Sequence, residues 1–240
     1  MKLSDRAVRF GLKPVVLLAS LGPFFYLLWA ALTGNLSANP LSDLTNETGV
    51  WTLRFLCLTL AITPLRKLTG WNFLIRFRRM TGLFAFFYGS LHLLTYVVAD
   101  RFAGLDQAAG WVDAFGAGHA PGWALLVSTG RGLAKSVGED IYKRPFITIG
   151  FAAWTTMVPL ALTSTAGWIR RLGGKRWKRL HKIIYLTGIL GPLHYWWLVK
   201  ADVSRPLTYA AVVALLLGAR IYWNRARKQA VPARATVTPA

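Results

Sequence analysis

Six stretches of this chain, at about 14–33, 48–65, 80–98, 146–168, 181–199 and 206–222, are apolar and long. Each approaches the roughly twenty residues that a helix needs to cross a bilayer core. In hydrocarbon no water is present to satisfy backbone N–H and C=O groups, so a spanning segment pairs them within itself as an α-helix. The chain of 240 residues is 54% hydrophobic and only 16% charged, less charge than a soluble domain of this length carries. The expected fold is therefore an all-α integral membrane protein, a six-transmembrane-helix bundle forming one domain over residues 1–225. Residues 226–240 are basic and polar and are expected to be a disordered cytoplasmic tail. The lone Cys57 falls in the second stretch, which excludes a disulfide framework and a thiolate metal site.

The net charge of +20 invites a nucleic-acid reading, but its distribution excludes one. Lys2, Arg6, Arg9 and Lys13 precede the first stretch, and Arg66, Lys67, Arg76, Arg78 and Arg79 separate the second from the third. Arg170, Arg171, Lys175, Arg176, Lys178 and Arg179 separate the fourth from the fifth. Arg220, Arg225, Arg227, Lys228 and Arg234 lie at or beyond the end of the sixth. Asp5 is the one acid among these segments; the other eight acids lie in the alternate connections. This is the positive-inside pattern, and it places both termini in the cytoplasm. The basic, apolar N-terminus is read as the first span and not as a cleaved signal peptide, because removing it would upset the alternation.

The connections differ in character. Residues 34–49 read as a polar, turn-rich outside loop, and its Asn46-Glu47-Thr48 sequon carries little weight. Residues 66–79 mix bases with Trp71, Phe73 and Phe77 and suit the headgroup region. Residues 99–145 read as a long outside loop without clear periodicity, either a functional cap or an insertion. His119 lies in it and is expected to be a surface residue.

Ionisable side chains are costly in a bilayer and mark functional sites there. The third and fifth stretches both enter from the inside, so His92 and His194 share a level toward the outside. His181, thirteen residues before His194, lies roughly 20 Å away along a helix axis, near Arg78 at the inner level. Two histidines at one level on two helices suit the axial ligation of a b-type haem iron. At the inner level His181 faces only Arg76, Arg78 and Arg79, whose guanidinium forks suit haem propionates or lipid phosphate. One haem b is expected, and two is the alternative count. Helical phase complicates the picture: thirteen residues turn His181 and His194 about 140° apart, unless Gly188, Gly191 and Pro192 distort the helix. The competing reading is three isolated interhelical hydrogen bonds. Arg54 is expected to snorkel from the second span. No Asp or Glu lies inside the expected spans, which disfavours a proton pump or cation-coupled carrier.

Three segments, LIRFRRMTGLFAFFYGSLHLLTYV, KRPFITIGFAAWTTMVPLALTST and LGGKRWKRLHKIIYLTGILGPLHYWWLVK, together resemble the MsrQ (YedZ) family. These are haem-binding membrane subunits of a periplasmic methionine sulfoxide reductase system, within the ferric reductase-like transmembrane superfamily. The resemblance runs over about residues 1–225 and departs at 102–135, which looks like an insertion. It implies that His92, His194 and His181 are haem ligands and that Arg78 belongs to the inner site. It also implies electron transfer across a bacterial inner membrane to the periplasmic molybdopterin enzyme MsrP, for repair of oxidised proteins. The family's donor is the quinone pool, with a cytosolic flavin reductase as the other donor and FMN as a further cofactor. No nucleotide-binding motif is present, so no fused flavin domain is expected in this stretch of sequence. The competing functions are a stand-alone transmembrane ferric reductase and, from a different class, a metal permease using histidines as transient ligands.

Overall fold

The computed structural model describes residues 4–102, 105–199 and 201–229, and among these there is no strand. A π-helical turn, Ala7–Leu12, leads into α1, Lys13–Leu32. Helix α2 spans Pro40–Thr69, and a 3₁₀ turn, Asn72–Arg76, leads into α3, Arg78–Thr95. Then come α4, Gln107–Gly116, α5, Trp123–Lys143, α6, Pro145–Leu162, and α7, Ala166–Leu180. The 3₁₀ turn His181–Ile183 opens α8, Ile184–Leu198, and α9 spans Ser204–Gln229. Among the described residues, five segments are long and apolar enough to cross a membrane: Ala7–Leu32, Pro40–Thr69, Arg78–Val98, Pro145–Leu162 and Ser204–Ala226. The expected span 181–199 is not among them, because only 15 of its residues form α-helix after the 3₁₀ turn.

Two expected boundaries move. The outside loop 34–49 ends early, since α2 begins at Pro40 and includes Asp43 and Glu47. Asn39 caps it, its side-chain oxygen accepting from Ser42 N at 3.2 Å, with Pro40 at N1 and Asp43 in the first turn. Its other end closes at Gly70, whose φ of 71° is the left-handed conformation of a helix stop. The expected span 146–168 ends at Leu162, because Thr165 caps a new helix by accepting from Trp168 N. That helix, α7, carries the bases expected of the inside loop and bends at Gly173, where φ is 70°.

Helix α2 is the hub, packing on α3, α8 and α9, while α6 bridges α3 and α8. The core between them holds Leu53, Phe55, Leu56, Leu60, Phe84 and Tyr88. Phe55 stacks on Tyr88 with ring centres 5.3 Å apart and on Phe84 at 5.4 Å. Hydroxyl pairs tie helix to helix where lipid offers no hydrophobic gain: Thr59 to Thr81 at 3.0 Å and Thr156 to Thr187 at 2.7 Å. Helix α1 stands at the edge, with Leu18, Phe25, Tyr26 and Leu32 exposed as lipid-facing side chains would be. It is pegged to α3 by Tyr88, which is 0% exposed. The Tyr88 hydroxyl donates to Ser20 O at 2.8 Å and accepts from Phe24 N at 3.1 Å, so it sits inside the hydrogen-bond ladder of α1.

The segment 99–145, expected as a long outside loop without clear periodicity, is largely helical among its described residues. A π-helical continuation of α3, Tyr96–Phe102, is followed by α4 and α5. Buried Asp140 anchors it, accepting from Tyr96 Oη at 2.6 Å and Arg101 Nε at 3.0 Å and pairing with Arg144 Nε at 3.3 Å. At the C-terminus, α9 continues to Gln229, four residues into the expected tail. Residues 230–240 lie outside the described residues.

Candidate metal centre

The third and fifth expected spans do bring two histidines together. His92, near the end of α3, and His194, in the last turns of α8, lie with ring centres 6.0 Å apart at 76°. Helices α3 and α8 make little direct backbone contact there; α2 and α6 stand behind them. Each imidazole is held from behind in the same way. His92 Nδ1 lies 2.8 Å from Thr45 O on α2, and His194 Nδ1 lies 2.7 Å from Phe146 O on α6. A carbonyl only accepts, so Nδ1 carries the hydrogen in both rings and each Nε2 keeps its lone pair. This is the tautomer a metal-ligating histidine uses, with the second nitrogen tied to a backbone carbonyl.

Each ring also passes close to a glycine. A Cβ at Gly49 would sit 3.1 Å from His92 Nδ1, and one at Gly150 would sit 2.7 Å from both Nδ1 and Cε1 of His194. The two helices behind the site are therefore cut away where the rings pass. The spacing fits an iron between the rings. A metal–nitrogen bond of about 2 Å on each side, plus about 1 Å from each nitrogen to its ring centre, gives about 6 Å. The residues present thus fit a bis-imidazole metal group.

His181 does not join this pair. It lies in the 3₁₀ turn before α8, and that turn alters the helical phase between it and His194. Its Nε2 is 3.1 Å from Thr163 Oγ1, and the Thr163 hydroxyl hydrogen goes to Pro159 O at 2.6 Å, so His181 Nε2–H is the donor. Trp177 stacks on its ring at 3.9 Å. Arg78 starts α3 at the same end of the bundle, within electrostatic reach of His181. Of the neighbouring arginines, Arg76 pairs with Asp5. Arg54 points outward with its guanidinium 4.4 Å over the Trp51 ring. His119 is exposed in the turn after α4, its Nδ1 2.5 Å from Ala117 O.

Several participants escape a sequence reading. Thr45 and Gly49 were assigned to or beside a loop, and Phe146 contributes only its carbonyl, which no side-chain pattern reports. Gly150 left a trace as the one glycine of α6. Arg220 was counted among the cytoplasmic bases; the structure instead buries it between helices at 6% exposure.

No solved structure matches this chain. Residues 48–191 match the ferric reductase like transmembrane component, a stretch that contains His92 and His181. A relative from Ralstonia nicotianae is 48% identical over 222 residues, covering 92% of this chain and 87% of its own length. Relatives from Herminiimonas arsenicoxydans and Xanthomonas euvesicatoria are 44% and 43% identical, covering 88% and 93% of this chain and 85% and 88% of their own lengths. All three are named protein-methionine-sulfoxide reductase heme-binding subunit MsrQ. With the matched transmembrane component and identity over nine-tenths of its length, the chain belongs to the MsrQ family.

Proposed function

We propose that this chain is a membrane b-type cytochrome in which His92 and His194 hold a haem b between α3 and α8. The observation that carries the proposal is the pair of imidazoles 6.0 Å apart, each with its Nδ1 tied to a backbone carbonyl, which leaves its Nε2 lone pair for a metal. The relatives' name as heme-binding subunits supports it. A bis-imidazole haem supplies reversible one-electron exchange and leaves no coordination position for oxygen. The protein's part is to fix both ring orientations through Thr45 O and Phe146 O, and to open room through Gly49 and Gly150. One haem is the preferred count, since His181 Nε2 is engaged by Thr163. A second haem at His181, beside Arg78, requires that ring to turn.

The wider reading is a six-span protein of a bacterial inner membrane with both termini in the cytoplasm, and residues 1–225 as one transmembrane unit. The 3₁₀ turn and α8 together reach about 28 Å, close to a bilayer core, which supports counting them as a span. The alternation of basic segments supports the orientation. Electrons would enter from the quinone pool or a cytosolic flavin reductase, with FMN as a further cofactor, and leave to periplasmic MsrP. The test is the haem-to-protein ratio with reduced-minus-oxidised spectra on the purified chain. His92→Ala and His194→Ala are each expected to abolish the haem signal, and His181→Ala to leave it. A wild-type protein without Soret and α-band absorption overturns the proposal.

A further inference from the structure

Helices α4 and α5, between α3 and α6, form a hairpin with a root and a tip. Asp140 meets Tyr96 and Arg101, and Gly132 faces Leu105 and Gln107. Farther along, Thr129 Oγ1 accepts from Trp111 Nε1 at 2.8 Å, and Gly110 lies against Leu125. Partners thus step back along α5 as the chain leaves α3, which puts the root at Asp140 and the tip at residues 116–123. Root and tip are roughly 25 Å apart along α5. The root is tied to both supports of the metal centre. Tyr96 stands one turn beyond His92, and Arg144, the third partner of Asp140, stands two residues before Phe146, whose carbonyl holds His194.

Residues 99–145 hold five bases. Arg101 and Arg144 face Asp140, and Lys143 pairs with Glu139 at 3.1 Å. Arg131 and Lys135 face no carboxylate among the described residues, and both are exposed. They follow Trp123 and Val127 at four-residue spacing, so the four side chains make one stripe along α5. That stripe lines a groove of about 560 Å³, whose lining also takes in Gln107 from the start of α4. At its outer end Trp123 is 80% exposed, and Phe115 and Val112 on α4 are exposed as well. Clustered apolar side chains left open beyond the spans mark an interaction surface, and tryptophan and arginine are the side chains that anchor one. The order along the stripe selects the occupant. A phospholipid of the adjoining leaflet points its chains toward the spans and its phosphate away from them. Here the apolar end lies farthest from the root and the two bases lie nearer to it. That order matches a protein surface with an apolar side chain outward and carboxylates toward the bundle.

We propose that the face of α5 formed by Trp123, Val127, Arg131 and Lys135 docks a water-soluble protein that presents carboxylates beside an apolar side chain, on the His92–His194 side of the membrane. That this protein accepts the haem's electrons rests on the cytochrome reading above; the docking face itself does not. The two bases speed and orient encounter with an acidic partner, and Trp123 supplies the desolvated anchor. The Asp140 root holds the docked protein in a fixed relation to the helices that carry and support the two histidines.

The test uses the full chain in nanodiscs of zwitterionic phospholipid, with purified MsrP as the probe. Kd and association rate are read at low and at raised salt, beside the Soret spectrum and a thermal unfolding curve. Trp123→Ala is expected to weaken binding at least ~10-fold, through faster dissociation. Arg131→Glu combined with Lys135→Glu is expected to slow association at least ~10-fold at low salt and to flatten its salt dependence. Arg131→Gln combined with Lys135→Gln, a milder change at the same exposed positions, is expected to lie between. The Soret spectrum should stay as in wild type throughout, since none of these side chains touches the histidine pair. Wild-type binding in the folded variants overturns the docking face and leaves the cytochrome reading standing. A wild type that binds no MsrP overturns the docking face and removes MsrP as acceptor. Anionic phospholipid retained by wild type and lost from the Glu pair, with MsrP binding unaltered, assigns the groove to lipid and overturns the proposal. A wild type without Soret absorption that still binds MsrP through these residues removes the cytochrome reading and keeps the docking face.

Discussion

Gly150→Ala is a small change with a large expected effect. The new Cβ would sit 2.7 Å from both Nδ1 and Cε1 of His194, about 0.7 Å inside the 3.4 Å at which ordinary contact begins. Phe146 O, which anchors that Nδ1 at 2.7 Å, lies one turn earlier on the same helix. A ring that retreats from position 150 therefore also retreats from its anchor, to about 3.4 Å, past the useful range of an N–H···O bond. The lost bond is worth about 1 kcal/mol in itself. Its larger role is to fix the tautomer and aim of the ligand, and losing such a partner costs roughly 10–100-fold in metal affinity. Gly49→Ala is the built-in comparison: its Cβ would lie 3.1 Å from His92 Nδ1, only about 0.3 Å too close, so the bond to Thr45 O stretches to about 3.1 Å and survives. Both substitutions raise helix propensity by about 1 kcal/mol, so a general weakening of α6 or α2 cannot imitate the result. The assay is haem retention by the purified full-length variants during washing with a haem-scavenging protein, followed at the Soret band beside a thermal unfolding curve. Wild-type retention in Gly150→Ala, or equal loss in both variants, would refute the reasoning.

His119→Ala is expected to leave the haem spectrum and unfolding midpoint unchanged, because the ring is exposed in the turn after α4; a shifted α-band would contradict this. Tyr88→Phe removes both hydrogen bonds to α1 and should cost about 1–2 kcal/mol, the upper part of the range for polar contacts between membrane helices. Reversible unfolding in mixed detergent measures it, and an unaltered midpoint would mean that α1 is held by other contacts. Asp140→Asn keeps the shape but gives up the charge facing Arg101 and Arg144, an expected loss of about 2 kcal/mol once the half-exposed Arg144 is discounted. Limited proteolysis should then cut within 105–143 while the haem content holds, and an unchanged digestion pattern would argue against the anchor.

Five apolar segments long enough to cross a membrane, and the closeness of His92 to His194, were legible in the sequence, because apolar run length and charge alternation order residues along their helices. It did not reveal what stands behind the histidines. Residues 40–49 read as part of a turn-rich loop by their polarity, although Asn39-Pro40 with Asp43 three residues on is a helix-start signal. Phe146 acts through its backbone, to which side-chain chemistry is blind. Between His181 and His194 the helical phase is altered where three residues wind as 3₁₀ instead of α, earlier than the Gly188, Gly191 and Pro192 that the sequence offered for a distortion. Arg220 looked like one more base at a membrane edge, yet its neighbours Leu217, Ala219 and Ile221 belong to an apolar run. A lone cation in such a run is a better sign of burial than of topology.

The Tyr88 peg has a consequence for how α1 finds its place. Between helices in lipid, apolar contact gains little over contact with acyl chains, so an edge helix with an oily surface could slide along its neighbour with little penalty. Only one axial position sets Ser20 O and Phe24 N on either side of a hydroxyl fixed to α3. A displacement by one residue, about 1.5 Å, leaves the hydroxyl without both its partners, while Ser20 O and Phe24 N, four residues apart on α1, have only each other. The tyrosine thus acts as a detent, giving α1 a single register that greasy packing alone would leave open.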